Sequence, residues 1–555
     1  MKSGACESRA RWLLSAVVSN DIRFRDVPFQ LPNATGNFTI TDTGGPGLTP
    51  KACIIVLSGA TAIGTETNPA RVAIGLTDGT NAIAMAWMAE HGVVDTNADT
   101  GRRRANDKIL NLTATTAEAL AVGATFVSLG TNALTINMEH ASTLRGFVRF
   151  MYGAQLQAKV TTVTSALLVN TAVNSPSLGF QADGVICISA RTAWNVDAGL
   201  ANAIASIGCA GRLPSISQAC MNVVAGDRIS PTSVGQKPRD DRVLSIVIST
   251  AGVITEAVAI EVTAFNADDI EFTTREIGEA IGIGMLAFSL NGEKCHAGCP
   301  ALNSDTMGIS SYTTPGFRAR ALFVLGQAAA TVNTLDTTTG AMSIGVFSPA
   351  TVATGEYAAK WNDADAQSTS ISTSALTENQ IVHVESKWAA RVNRITATGF
   401  DYNVLVTASA DLPTVVFSIG EQPPYTPFVS KARILGIPRG AGGPGKPKIG
   451  LTKRLHVEAV ARGRVPGKPA RAPAKVPLAK PSGRQAGRGA FLRVVRFWEV
   501  QRRAMFDRLF ARRRKPTEPP TTPVVDGVPS DTRGSNALAG SQAGDNALAG
   551  SERGS

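Results

Sequence analysis

From Leu48 the chain reads Leu48-Thr49-Pro50-Lys51-Ala52-Cys53-Ile54-Ile55-Val56-Leu57, a turn followed by an unbroken apolar run. A short apolar run bounded by turn residues predicts a strand covered on both faces. The pattern returns at Gly179–Ile188 and at Gly316–Leu325, about 131 and 137 residues further on, which aligns Ile54 with Val185 and Leu322. A second cue keeps nearly the same spacing: Ile74-Gly75, Ile207-Gly208 and Ile344-Gly345. A third is a hairpin, read at Leu129–Ile136, Phe265–Phe272 and Ile395–Tyr402. After each polar turn the apolar residues alternate (Leu134, Ile136, Met138; Ile270, Phe272; Phe400, Tyr402, Val404), which puts them on one face of a strand. Gly399 and Asp269 end two of these turns, where a positive φ is expected. Apolar strands at Gly146–Phe150, Gly284–Phe288 and Val415–Ile419 close each copy.

Repeats of this length are domain-sized, and short strands at regular intervals suit a sandwich or jelly-roll-like barrel. The expected fold class is all-β: three tandem β-sandwich modules at 30–154, 155–292 and 293–422, after an N-terminal segment 1–29. Several phrases resemble modules of predicted structural, tail-fibre-like proteins of tailed bacteriophages and prophages: Pro50-Lys51-Ala52, Gly75-Leu76-Thr77-Asp78-Gly79, Arg102-Arg103-Arg104 before Ile109-Leu110, and Val127-Ser128-Leu129. The resemblance covers roughly residues 30 to 422 and weakens toward the third copy. It implies a virion component made in the host cytoplasm, with no defined chemical activity. Thr77-Asp78-Gly79 becomes Cys209-Ala210-Gly211 and then Phe347-Ser348-Pro349, which argues against a ligand role for that loop.

Charge changes the picture at the C-terminal end. The net +11 is uneven: between Lys431 and Lys515 stand 24 Lys or Arg and 3 Asp or Glu, against 30 and 40 in the remainder. A mildly acidic body thus carries a basic tail. Residues 423–490 are rich in Gly, Pro and Lys or Arg, a composition expected to stay extended. Over 491–515 a helical period returns. Phe491, Val494, Trp498, Met505 and Leu509 fall near one face, with Arg493, Arg496 and Arg502 around it, and these eight residues are the expected partner-binding surface. Such a basic amphipathic helix suits another virion protein, an anionic membrane surface or nucleic acid phosphates. Residues 516–555, with Asn536–Ser541 repeated at Asn546–Ser551, are expected to be disordered.

The remaining chemistry is sparse. Seven cysteines at scattered spacing do not read as a disulfide framework. The apolar run Trp12–Val18 is short for a signal peptide, and no stretch approaches a membrane span. Gly440-x-x-x-x-Gly445-Lys446 lacks the hydroxyl of a phosphate-binding loop, because Pro447 follows. Cys295-His296-Ala297-Gly298-Cys299 has no second ligand pair at metal-site spacing. The five histidines are dispersed, and Asp240-Asp241 and Asp268-Asp269 read as turn residues. Trp87, Trp194, Trp361 and Trp388 read as packing residues, with a sugar-stacking platform as the alternative. The expectation is therefore a non-enzymatic virion structural protein with display or adhesion modules, without cofactor or metal. Its expected partners are other virion proteins and further copies of itself. The alternatives are a receptor-glycan-binding array and a capsid-associated protein whose tail contacts DNA.

Overall fold

A computed structural model describes residues 22–90, 99–114, 119–194, 197–226, 233–276, 279–349, 355–364, 372–384, 388–408 and 410–421. All lie in one compact unit, Met1–Ile437. The eight expected tail residues from Phe491 to Leu509, the basic linker and the terminal repeats lie outside the described residues.

The described chain is all-β and β-sandwich-like. The first strand set is β1 (Arg23–Gln30), β2 (Gly36–Thr41), β3 (Ala52–Ser58), β4 (Ala70–Thr77), β5 (Ala82–Glu90), β6 (Asp99–Ala105), β7 (Leu110–Thr113), β8 (Leu120–Gly130), β9 (Ala133–Met138) and β10 (Arg145–Tyr152). The second is β11 (Gln157–Thr164), β12 (Ala172–Asn174), β13 (Gly184–Ser189), β14 (Ala198–Ala201), β15 (Ala203–Gly211), β16 (Ser217–Ala225), β17 (Val234–Gln236), β18 (Leu244–Thr250), β19 (Val253–Phe265), β20 (Ile270–Thr274) and β21 (Gly282–Ser289). The third is β22 (Cys295–Gly298), β23 (Ala301–Leu302), β24 (Gly308–Tyr312), β25 (Ala319–Gly326), β26 (Thr339–Phe347), β27 (Glu356–Ala364), β28 (Thr373–Glu378), β29 (Val382–Val384), β30 (Trp388–Ile395), β31 (Phe400–Val406) and β32 (Leu412–Glu421). β1 lies ahead of the boundary expected at residue 30 and pairs with β10 of the first set.

Each set makes one large and one small antiparallel sheet. The large sheets run β1-β10-β3-β4-β5-β6, β11-β21-β13-β15-β16-β17 and β22-β32-β25-β26-β27-β28. The small sheets run β2-β9-β8-β7, β12-β20-β19-β18 and β24-β31-β30-β29. With β14 and β23 set aside, the strand order is the same three times.

The apolar pattern explains the layering. In the small sheets alternate residues are buried: Leu134, Ile136 and Met138 on β9 face the first large sheet, and Ile270 with Phe272, and Phe400 with Tyr402, do the same on β20 and β31. The inner strands of the large sheets are buried on both faces. On β3, Cys53, Ile55 and Leu57 pack toward the small sheet, while Ile54 and Val56 point the other way. That second face enters a core shared by all three large sheets, where Ile54 and Val56 meet Ile186, Ile188, Phe323 and Leu325.

The repeat register differs from the sequence alignment by one residue in the first set. Gly75 pairs with Ile55, Gly208 with Cys187 and Gly345 with Val324, so Ile54 corresponds to Ile186 and Phe323 rather than to Val185 and Leu322. Val185 and Leu322 face the cores between their own large and small sheets, as Cys53 does. A one-residue slip moves a strand residue to the opposite face. The turn glycines follow the corrected register, with φ of 76°, 80° and 71° at Gly47, Gly179 and Gly316.

The recurring Ile-Gly pair has a steric cause. A Cβ on Gly75 would fall well under 3.0 Å from the carbonyl oxygen of Ile109, and Gly208 and Gly345 stand in the same way against Val243 and Ile381. Those carbonyls immediately precede β7, β18 and β29, so the large sheet admits the incoming small-sheet chain only where no side chain intervenes. The hairpin glycine is a correction: Gly399 is not among the residues with positive φ, nor is Asp269. Gly399 is needed for close approach, since a Cβ there would collide with the Tyr312 carbonyl.

Candidate functional site

The side chains flagged by sequence do not converge. Cys295, His296 and Cys299 lie on or just after β22; both thiols are buried and pushed upward by burial, and burial lowers His296. Among the described residues no group of three or more His, Cys, Asp or Glu is arranged to hold a metal ion. Trp87, Trp194, Trp361 and Trp388 are all at most 3% exposed, so none offers a sugar-stacking surface. Asp268 sits in the hairpin turn, where the Ser177 hydroxyl and the Gly179 amide hold its carboxyl below the usual range. Asp241 is held down by Arg239, which also binds Glu256 and Glu276. His91, His456 and the Gly440–Lys446 segment lie outside the described residues, as do Cys6, Trp12 and Trp498. No helix among the described residues is long and apolar enough to cross a membrane.

A recurring set of polar contacts lies where one strand set meets the next. The sixth strand of each large sheet is covered by the loop between the third and fourth strands of the following set. For β6 the cover is β14, with Ala198 opposite Arg104 and Ala201 opposite Gly101. For β17 it is residue 336: Gln236 and Asp336 exchange both backbone hydrogen bonds at 2.9 Å. For β28 it is the loop of the first set: Thr67 and Ser374 exchange both bonds at 2.9 Å, and the Gly64 amide donates to Leu376 at 2.8 Å. Exposed edges are thereby paired, which removes unsatisfied backbone groups.

Side chains differ at the three joints. Arg102 donates to the carbonyls of Ala190, Ala201 and Asn202, Arg104 to that of Ala193, and Arg103 pairs with Asp197 at 2.7 Å. Burial lowers Arg102 to about 10. The Arg102-Arg103-Arg104 run is thus a clamp on the second set. At the next joint Gln236 donates to Asp336 and Thr339 at 3.0 and 2.9 Å. At the last, the Thr67 hydroxyl donates to the Ser374 carbonyl at 3.2 Å, and buried Lys360 pairs with Glu66.

A second contact also recurs. The turn after the fourth strand reaches the first strand of the following set: Asp78 accepts from the Val160 amide at 2.8 Å, and Ser217, at the start of the fifth strand, accepts from the Ala297 amide at 3.0 Å. At the third joint the Phe347 carbonyl accepts from Arg149 at 2.9 Å. Arg149 is wholly buried and grips Asp26 with two bonds of 2.7 and 2.8 Å. Asp26 and Arg149 pair across β1 and β10 at the register occupied by Val160 and Leu286, and by Ala297 and Phe417, in the other sets.

One buried carboxyl carries a pH dependence. Glu356 is 8% exposed, its Oε2 has no hydrogen-bond partner, and burial raises it to about 7 against the opposing Val392 amide and Arg391. The folded state then keeps a proton that the unfolded state has released. The stability from this group is complete below about 4.5 and lost as pH rises through about 7. Glu356→Gln should leave thermal stability unchanged near the lower limit and raise it above the upper one, by at most about 3 kcal/mol. Melting curves at the two ends check this; an equal gain at both would contradict it.

Comparison with protein-family models, curated proteins and solved structures gives no match for this chain.

Proposed function

We propose that the described body is three tandem jelly-roll-like sandwich modules closed into a ring, and that the chain is a non-enzymatic virion structural protein of a tailed phage. In this reading the ring is a rigid display or adhesion unit, and the basic C-terminal segment attaches it to another virion protein. The observation that carries it is the cyclic series of joints: each sixth strand lies under the loop of the next set, and the third returns to the first. Heterologous contacts that close after a fixed number of units give a bounded body rather than a filament. The phage context comes from the phrase resemblance over roughly residues 30 to 422, clearest in the first copy. The receptor-glycan alternative loses its aromatic platform, since the four described tryptophans are buried.

Mass spectrometry of purified particles from a producing culture is expected to find this chain at a fixed ratio to the other structural proteins. Consistent absence from particles, with the chain present in the lysate, would overturn the assignment.

A further inference from the structure

The first joint holds more positive charge than its carboxylates answer. Arg103 pairs with Asp197, Lys108 with Glu139 and Arg191 with Glu279. Arg102 and Arg104 pair with no carboxylate among the described residues. Their bonds run instead to the backbone carbonyls of Ala190, Ala193, Ala201 and Asn202. The two arginines are only 5% and 6% exposed. They stand opposite Trp87 and Met85 of β5, which puts both on the sheet face turned to the shared core. Carbonyls satisfy hydrogen bonds but cancel no charge, and a buried cation without a counter-charge is strongly unfavourable.

Unused donors lie on both sides of the same joint. Arg104 Nη1, the indole Nε1 atoms of Trp87 and Trp194 and the Thr192 hydroxyl are buried without a hydrogen-bond partner. Trp87 is the cross-strand neighbour of Arg102. Thr192 and Trp194 flank Ala193, whose carbonyl accepts from Arg104 Nε. Buried polar groups left unmatched by protein atoms commonly hold a water or an ion. Guanidinium and indole nitrogens only donate, and the local charge is positive, so an acceptor carrying negative charge fits better than water.

We infer that the first joint encloses a small oxyanion of the class of inorganic phosphate, held by Arg102 and Arg104 between β6 and residues 190–194. Guanidinium forks match such oxygens in both direction and charge. With both arginines so nearly covered, a phosphate within a nucleic acid strand has no room. The ligand is therefore a free ion, taken up as the joint closes. Burial lowers both arginines, and the charges of Arg191 and Arg104 lower Arg102 further; a bound anion relieves each effect. The other joints need no such ion, since β17 and β28 carry no arginine and Lys360 is matched by Glu66.

Equilibrium dialysis of the full-length chain against radiolabelled inorganic phosphate, with ionic strength held constant by chloride, tests the site. The parent should bind a single phosphate saturably. Its melting temperature should rise by about 1–2 °C per tenfold increase in phosphate once the site is half filled. Arg104→Gln should weaken binding by about tenfold or more and flatten that thermal response. Arg104→Lys keeps the charge but loses the fork, and should bind several-fold more weakly than the parent; it decides the matter if the Gln variant does not fold. Arg394→Gln, at a side chain 72% exposed, should match the parent. Three results would overturn the site: no saturable phosphate in the parent, binding by a folded Arg104 variant equal to the parent's, or an equal loss in Arg394→Gln.

Discussion

Arg149→Leu alone is expected to destabilise the body by about 3–5 kcal/mol, because it leaves the Asp26 carboxylate buried without its partner. Both side chains are 0% exposed, so solvent cannot take over the lost bonds. Asp26→Val alone strands the guanidinium instead and should cost a comparable amount. The double variant Asp26→Val with Arg149→Leu is a different case. It installs the apolar pairing that Val160 and Leu286 make at the equivalent register, and it should recover most of the loss. Denaturant midpoints for the four proteins give the coupling directly. A double variant no more stable than Arg149→Leu would mean that the bond to Phe347, and not the ion pair, is the essential contact.

The second large effect is steric. Gly208→Ala should cost about 3 kcal/mol, the upper end for overpacking, because the added methyl meets backbone rather than a side chain able to move aside. The collision is with the Val243 carbonyl, whose chain continues directly into β18. Gly75→Ala and Gly345→Ala should behave alike, against Ile109 and Ile381. Gly252→Ala is a useful control: nothing lies within 4 Å of the added carbon, so only the strain of its φ of 85° is felt. Thermal unfolding of the four variants checks the ranking; a Gly208→Ala protein as stable as its parent would remove the close-approach account.

These features were unequally legible in sequence. The Ile-Gly cue was visible because one steric requirement recurs at the same place in each set, and the alternation at Leu134, Ile136 and Met138 was visible because the small sheets have only one buried face. The run Ile54–Leu57 correctly implied cover on both faces, but nothing local said that the second face meets the other large sheets. The same two-sided burial hid the one-residue slip, since every position on such a strand is apolar and the pattern has no phase. The Asp26–Arg149 pair joins residues far apart in sequence, and its only trace is one charged residue in the middle of each strand. The Arg102-Arg103-Arg104 run could be noticed but not interpreted, because its acceptors are mostly backbone carbonyls of the next set. The joints are therefore properties of assembly, written in loops whose sequences differ from one set to the next.

Cyclic closure can be measured with spin labels at Val127, Thr263 and Asn393, the bulge residues at the same register of β8, β19 and β30. All three are at least partly exposed on the small sheets. Pulsed dipolar measurements on the three doubly labelled chains should return three similar distances, as for the corners of a triangle. A 127-to-393 distance well beyond the other two would mean that the strand sets follow one another in a line, and the closed body described above would be wrong.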